Sequence, residues 1–397
     1  MMINSSEIAS NILRGARVDE FAGYDPFDGL NSRLFVFLPM LKHGIFGLAW
    51  IQFFKRAPVN LRPLLGVPKK RNPKGIALFV MGLLEDYQRY KDEACLSQAI
   101  DLGDWLLAQQ SEPDQWRHSC WGYHFDWKAR AFFVPKGKPN VITTVYVAQA
   151  LFALAKLTGN DKYRDPALDA AHFMVDSLYT EADGRCFFAY VPGETAFVHN
   201  ASLWAAAWVA VVAAETGNDV YRLLALNVAR QSVAEQGDDG SWVYGARHHH
   251  QFMDGFHTGY NLEALHLLRS ALGSSEFDEA IARGLVCYKQ HLFEADGTAK
   301  YYHNDSYPLD MHSVSQALLT LLKVGNGDSD LQLAGKILNR AVETLYMHDK
   351  QRFVYQKHRY LTNRVNYLRW TQAWSYYSLA FYNRACGETG MVDHAKN

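Results

Sequence analysis

Two stretches of the chain set histidine and aspartate at the start of an apolar run. They are DGFHTGYNLEAL, with Asp254, His257, Tyr260 and Asn261, and YPLDMHSVSQAL, with Asp310 and His312. An aspartate in that place caps a helix, and an imidazole two or three residues further on can exchange a proton near neutral pH. Proton abstraction beside a sugar carboxylate needs a base, a partner acid, and a cation or amide to hold the developing negative charge. Asp254, His257, Asp310, His312 and Tyr302 are the candidates for the proton transfers. Asn200, Tyr260, Arg247, Arg364 and Arg369 are candidates for holding substrate, because a guanidinium grips a carboxylate through two parallel hydrogen bonds. Trp242, Tyr244, Tyr123 and Trp370 offer flat rings that stack on sugar faces. Glycosidic hydrolysis would instead use two carboxyls, about 5–5.5 Å apart for retention or about 6.5–9.5 Å for inversion. Asp254 with Asp310 is the best such pair, and Asp25 with Asp28 in GYDPFDG is a second.

Other chemistries find less support. The consecutive His248, His249 and His250 cannot easily converge on one ion, and no H-E-x-x-H pair accompanies them, so no metal site is expected. Phosphate-cradling glycine loops are absent, so no cofactor is expected either. A formal net charge of -1 over 397 residues gives no field that would collect nucleic acid. Five scattered cysteines with no C-x-x-C pair favour a reducing compartment. With no basic-then-apolar leader pattern at the N-terminus, the expected location is cytoplasmic.

The elements that must position these residues repeat along the chain. Aromatic-rich stretches after acidic turns (DQWRHSCWGY, DGRCFFAY, DGSWVY, DGTAKYY, DKQRFVY) each lead to an apolar, alanine-rich run such as NVITTVYVAQALFALAKL or HNASLWAAAWVAVVAAE. Runs apolar on nearly every face are inner helices, and the one-striped runs between them, such as RLLALNVARQSVAEQ, are outer helices. Tight TGND links join inner to outer, while long aromatic loops join outer to inner. Six such hairpins at a period of roughly 55 residues can close into a double ring. The expected fold is all-α, an (α/α)6 toroid with short β-hairpin-like loops on one rim. Residues 1–32 would form an N-terminal arm, 33–385 the single toroid domain, and 386–397 a C-terminal tail. The apolar segment from Arg33 to Phe54 would be the first outer helix, buried and followed by a solvated basic loop. Its alternative is contact of residues 33–74 with the inner membrane face, which the flanking lysines and arginines would favour.

The chain thus resembles the six-hairpin toroid superfamily of glycoside hydrolases, polysaccharide lyases and sugar epimerases, with terpene cyclases and prenyltransferases more distant. The turns EQGDDGSWVYG and QQSEPDQWRHSCWGY are similar to the Q-x-x-D-G-S-W structural staples of the last branch. GYDPFDGLNS, DGFHTGYNLEAL, YPLDMHSVSQAL and RWTQAWSYYSLA resemble proteins encoded in bacterial surface-polysaccharide clusters. YPLDMHSVSQALLTL is also similar to a helix start in glucuronyl C5-epimerases, matching at Asp310, His312 and Gln316. The resemblance implies an enzyme acting on an acidic, uronate-containing oligosaccharide or its lipid-linked precursor by C5-epimerisation or elimination. A glycoside hydrolase using Asp254 and Asp310, and a non-catalytic glycan-binding or scaffold protein, are the alternatives. The expected partner is an oligosaccharide or polysaccharide.

Overall fold

A computed structural model of the chain describes residues 4–128, 133–325 and 327–388. Its helices, in chain order, are α1 (Ser5–Val18), α2 (Leu34–Phe37), α3 (Gly44–Arg56), α4 (Pro73–Tyr90), α5 (Glu93–Leu107), α6 (Pro113–Trp116), α7 (Val141–Thr158) and α8 (Asp161–Phe173). They continue with α9 (His199–Thr216), α10 (Asp219–Ala234), α11 (Gly255–Leu272), α12 (Asp278–His291), α13 (Met311–Lys323), α14 (Asp328–Leu345) and α15 (Trp374–Glu388). A π turn, Leu368–Ala373, leads into α15.

The inner helices α4, α7, α9, α11, α13 and α15 each pack against the next, and α15 returns to α4, closing the ring. Their composition makes this the stable arrangement. α7 and α9 are buried on almost every face, so each needs neighbours on all sides. α7 is the one helix among the described residues long and apolar enough to cross a membrane, and 72% of its apolar window is buried inside the ring.

Outside them, α5, α8, α10, α12 and α14 each pack on the inner helix that precedes them. The TGND links behave as expected: Gly159 and Gly217 take the left-handed conformation (φ of 66° and 68°) that ends a helix, and Asn160 and Asn218 cap the next one.

The sixth outer helix is α1, which packs on α15. The expected assignment of Arg33 to Phe54 to that position is therefore corrected, and residues 1–32 contain a ring element as well as an arm. Ile8, Ala9, Ile12, Leu13 and Ala16 form the single buried stripe an outer helix needs. The Arg33 to Phe54 segment is broken instead into α2, a turn at Pro39–Lys42 and α3, and it lies over the loop rim against β-strand Trp127–Lys128. Of the tail set apart at 386–397, residues 389–397 lie outside the described residues.

All long loops collect at the N-terminal ends of the inner helices. They carry the short β-structure: the hairpins Trp127–Lys128/Phe133–Val134, Tyr179–Ala182/Arg185–Phe188 and Tyr346–Met347/Arg352–Phe353, and a three-stranded ribbon of Leu309–Asp310, Gln356–Lys357 and Thr362–Asn363. Two of the aromatic turns are staples. Trp121 donates its indole N–H to Leu106 O (2.8 Å) at the end of α5, and Trp242 does the same to Ser232 O (2.9 Å) near the end of α10.

Candidate functional site

Register builds the site. Lys74, Ile142, Asn200, Phe256, His312 and Arg369 are each the second residue of their inner helix or of the π turn leading to it, and all six line one cavity of about 340 Å³ at the loop rim. One turn deeper, Tyr146, Trp204 and Tyr260 meet with ring centroids 5.7–6.2 Å apart. Trp374, one residue later in register because the π turn inserts an extra residue, closes the floor against Tyr146 and Tyr260. The walls come from the loops: Phe27, Tyr123, Phe125, Trp127, Tyr190, Tyr244 and Tyr301.

The residue before four of these six starts is a capping side chain. Asn72, Asn140, Asp254 and Asp310 occupy equivalent N-cap positions and accept from the backbone N–H groups of the first turn. Asp254 does more. Its Oδ1 accepts from His257 N (2.8 Å) while its Oδ2 lies 2.7 Å from His257 Nδ1. With Nδ1–H donated to the carboxylate, the neutral imidazole carries its lone pair on Nε2. His257 itself lines the cavity.

A second polar chain crosses the floor. Lys74 Nζ lies 3.2 Å from the Tyr260 hydroxyl, which lies 2.8 Å from His312 Nε2. The His312 ring is sandwiched between Phe256 and Trp374, with centroids 4.8 and 4.5 Å away. Burial, and after it the nearby Lys74 and Arg369, pushes His312 well below the ordinary imidazole range, so it is neutral. Burial likewise holds the Tyr260 phenol well above its ordinary value, keeping its proton. Lys74 sits between Tyr146 and Trp374 (4.4 and 5.1 Å to the centroids), and burial, followed by Arg369, pulls its ammonium well down.

The expected site residues divide. His257, His312, Tyr260, Tyr244, Tyr123, Asn200, Arg247, Arg369 and Trp370 all line the cavity. Asp254 and Asp310 do not. Both are buried behind the wall, and Asp310 accepts from His312 N (2.7 Å) and from Gln356 Nε2 (2.5 Å). Burial lifts the Asp310 carboxyl to about 6. Tyr302 is also displaced. Adjacent residues of an extended segment point to opposite sides, so Tyr301 lines the cavity and Tyr302 turns away to pair with Asp254 through the backbone. Trp242 is a staple and no part of the wall. Arg364 is exposed in a separate surface cleft with Lys69 and Arg352.

Arg369 is in place but engaged. Its Nε and Nη2 meet the two oxygens of Asp25 at 2.5 and 2.9 Å, both residues being buried. Asp28 is likewise paired with Arg62 (2.6 Å). The Asp25 and Asp28 pair is therefore a structural clamp on the N-terminal loop that carries Phe27 into the cavity, and the expected guanidinium for a substrate carboxylate is occupied. Arg247 is held by Glu194 (2.8 Å), the one carboxylate among the described lining residues.

Among the lining residues missed from the sequence are Lys55, Lys74, Glu194 and Phe256. Aligning the six helix starts would have found Lys74 and Phe256, since they share the register of His312. Lys55 has no such signal, coming from a rim helix; its ammonium sits 5.2 Å from the Phe27 centroid. Among the described residues, neither Lys55 nor Lys74 has a carboxylate within 4 Å. Asn200 Oδ1 is buried with no hydrogen-bond partner among them. Two of the three consecutive histidines, His249 and His250, line the mouth. A surface group of His118, Asp169 and His172, whose ligand atoms lie within 4.8 Å of one another, is made by the α6 loop and α8 and takes no part in this cavity.

No family model and no curated protein matches the chain. Solved structures match it in shape. An unsaturated glucuronyl hydrolase specific for heparin has a TM-score of 0.64 at 11% identity, over 97% of this chain and 96% of that one. Cellobiose 2-epimerase from Bacillus thermoamylovorans B4167 has a TM-score of 0.60 at 12% identity, over 79% and 88%. A glycosyl hydrolase family 88 protein from Bacteroides vulgatus has 0.56 at 12%, over 81% and 94%. The shared feature is the fold. This chain is an (α/α)6 toroid, and the three matching structures named above are hydrolases and an epimerase of carbohydrate.

Proposed function

We propose that this toroid is a carbohydrate-modifying enzyme that moves a proton beside the carboxylate of an acidic sugar, by C5-epimerisation or elimination. The observation that carries the reading is the composition of the cavity wall: an imidazole oriented by a buried carboxylate, a protonated phenol one turn away, and two lysines without carboxylate partners among the described residues. His257 Nε2 takes the proton, with Asp254 stabilising the imidazolium that forms. Tyr260, whose hydroxyl sits between Lys74 and His312, is the proton donor. Burial disfavours the ammonium form of both Lys55 and Lys74, so a substrate carboxylate beside them supplies the missing counter-charge, holds them protonated and lets them favour the charge of the enolate-like intermediate. The Tyr, Trp and Phe walls take the sugar faces.

Hydrolysis by paired carboxyls is the less favoured reading, because Glu194 is the one carboxylate among the described lining residues and its Oε1 already accepts from Thr195 N, Ala196 N and Arg247 Nη2. The substrate would be a uronate-containing oligosaccharide of a surface polysaccharide or its lipid-linked precursor.

The test is incubation of the protein in D2O with uronate oligosaccharides, followed by NMR. Deuterium at C5 with inversion marks epimerisation, and an unsaturated uronate, also visible by its ultraviolet absorbance, marks elimination. Both are expected to vanish in His257→Ala and to fall steeply in Lys74→Ala. Cleavage without exchange or unsaturation, or full activity in His257→Ala, would overturn the assignment.

A further inference from the structure

The rim segment α2–α3 is built the wrong way round for a surface element of a water-facing protein. On α3 the residues facing solvent are Ile45, Phe46, Ala49 and Phe53, and no polar residue appears on that face until Arg56. The buried side holds only Gly47, Ile51 and Phe54. α2 and the turn after it add Val36, Phe37 and Met40, and the loop beyond α3 adds Leu64. Phe37, Met40, Ile45 and Leu64 are 80, 85, 87 and 83% exposed. Half of the large exposed apolar side chains of the described residues fall between 36 and 64. They form one surface, because α2 and α3 both pack on the turn Pro39–Lys42 and Arg33 N donates to Leu65 O (2.9 Å) to bring the Leu64 loop beside α2. Contiguous exposed apolar surface of this kind marks a site of contact.

Charge names the occupant. From Gly29 to Leu84 there is no aspartate or glutamate, against nine lysines and arginines, in a chain whose formal net charge is -1. Arg62, Lys42 and Lys69 are consumed by Asp28, Asp126 and Asp19, and Lys55 and Lys74 face the cavity. Arg33, Arg56 and Lys70 remain exposed, with no carboxylate within 4 Å among the described residues, and Arg33 and Arg56 border the apolar face. Apolar prongs with a basic margin and no acid match the acyl-to-headgroup boundary of an anionic bilayer. A water-soluble protein partner of opposite charge would satisfy the arginines and leave the prongs needing a second, apolar match.

We infer that residues 33–66 dock this protein on an anionic membrane surface. α3 is then a shared wall: Phe46 and Phe53 enter the bilayer boundary while Lys55, on the same helix, lines the cavity. Docking sets the mouth of the cavity at headgroup level. The inference goes beyond the proposed reaction and does not depend on it.

Flotation of the full chain with vesicles tests it without any sugar. The protein is expected to float with vesicles of phosphatidylcholine and phosphatidylglycerol in equal parts, much less with phosphatidylcholine alone, and less as salt is raised. Phe37→Asp combined with Ile45→Asp should weaken partitioning by roughly tenfold or more. Arg33→Glu with Arg56→Glu and Lys70→Glu should also weaken it, and both variants should keep the wild-type melting temperature because every altered side chain is exposed. Wild-type protein that stays at the bottom of the gradient with the anionic vesicles would overturn the inference. So would equal flotation of both variants, or a vesicle-free dimer that Phe37→Asp/Ile45→Asp dissolves, which would name a second copy as the occupant.

Discussion

At the scale of single residues, the site separates groups that face substrate from groups that hold them. Asp254 fixes the tautomer of His257, Asp310 fixes the first turn of α13, and Asp25 holds Arg369. The last pair has a measurable consequence. Removing one partner of a buried ion pair strands the other charge, at a cost of about 3–5 kcal/mol. Arg369→Ala is therefore expected to lower the unfolding free energy by that amount in urea denaturation. Replacing Asp25 and Arg369 together by leucines should recover most of it. A stable Arg369→Ala that binds uronates more weakly would instead return Arg369 to the role of carboxylate ligand.

At the scale of elements, six equivalent helix starts present six side chains to one cavity, and the outer layer is completed by α1. Ile12 is buried in its apolar stripe against the ring. Ile12→Ala should cost about 2–5 kcal/mol, the range for truncating a buried aliphatic side chain. A change within about 0.5 kcal/mol, the usual effect of a surface substitution, would mean that α1 is a peripheral arm. The equivalence of the starts also explains the double duty of the aspartates: where Asn72 sets an amide against the His124 imidazole, Asp254 in the same position sets a carboxylate oxygen against that of His257.

At the scale of the whole molecule, buried ionisable groups set the response to acid. Burial holds His124 at about 3 and His199 at about 4, and pushes His312 well below its ordinary range. An unfolded chain protonates all three below roughly pH 6.5, so the unfolded state binds the extra protons. Stability then falls as pH drops below that value, approaching roughly 1.4 kcal/mol per pH unit for each histidine. Asp28 and Asp310, lifted to about 6 by burial, act oppositely: from about 6 down to their ordinary value of 3.8, the folded state holds protons the unfolded state has released. Three histidines outweigh two carboxyls. The melting temperature is expected to fall between about pH 7 and about pH 5, and His199→Gln should flatten that slope. A melting temperature that rises on acidification, or an unchanged slope in the variant, would refute this account.

The sequence by itself determined the double ring, because the burial pattern of each inner helix, the capping side chains of α4, α7, α11 and α13 and the terminating glycines of α7, α9 and α11 all lie within windows of some twenty residues. It also set the polar helix starts on one rim, and of the residues it gathered there His257, His312, Asn200 and Arg369 line the cavity while Asp310, Tyr302 and Arg364 do not. What it left to the tertiary structure were choices among partners. Both α1 and the Arg33 to Phe54 segment are apolar enough to pack. Only contact with α15 decides between them, and the more apolar segment went to the surface because an outer helix needs one stripe, which Ile8, Ile12 and Leu13 supply. Tyr301 and Tyr302 differ by one position in an extended segment, and a one-residue step exchanges wall for back. Arg369 meets Asp25 across 344 residues of sequence, a pairing no local window contains. Periodicity is written into each short stretch of chain, whereas the partner of a side chain is fixed only when the ring closes.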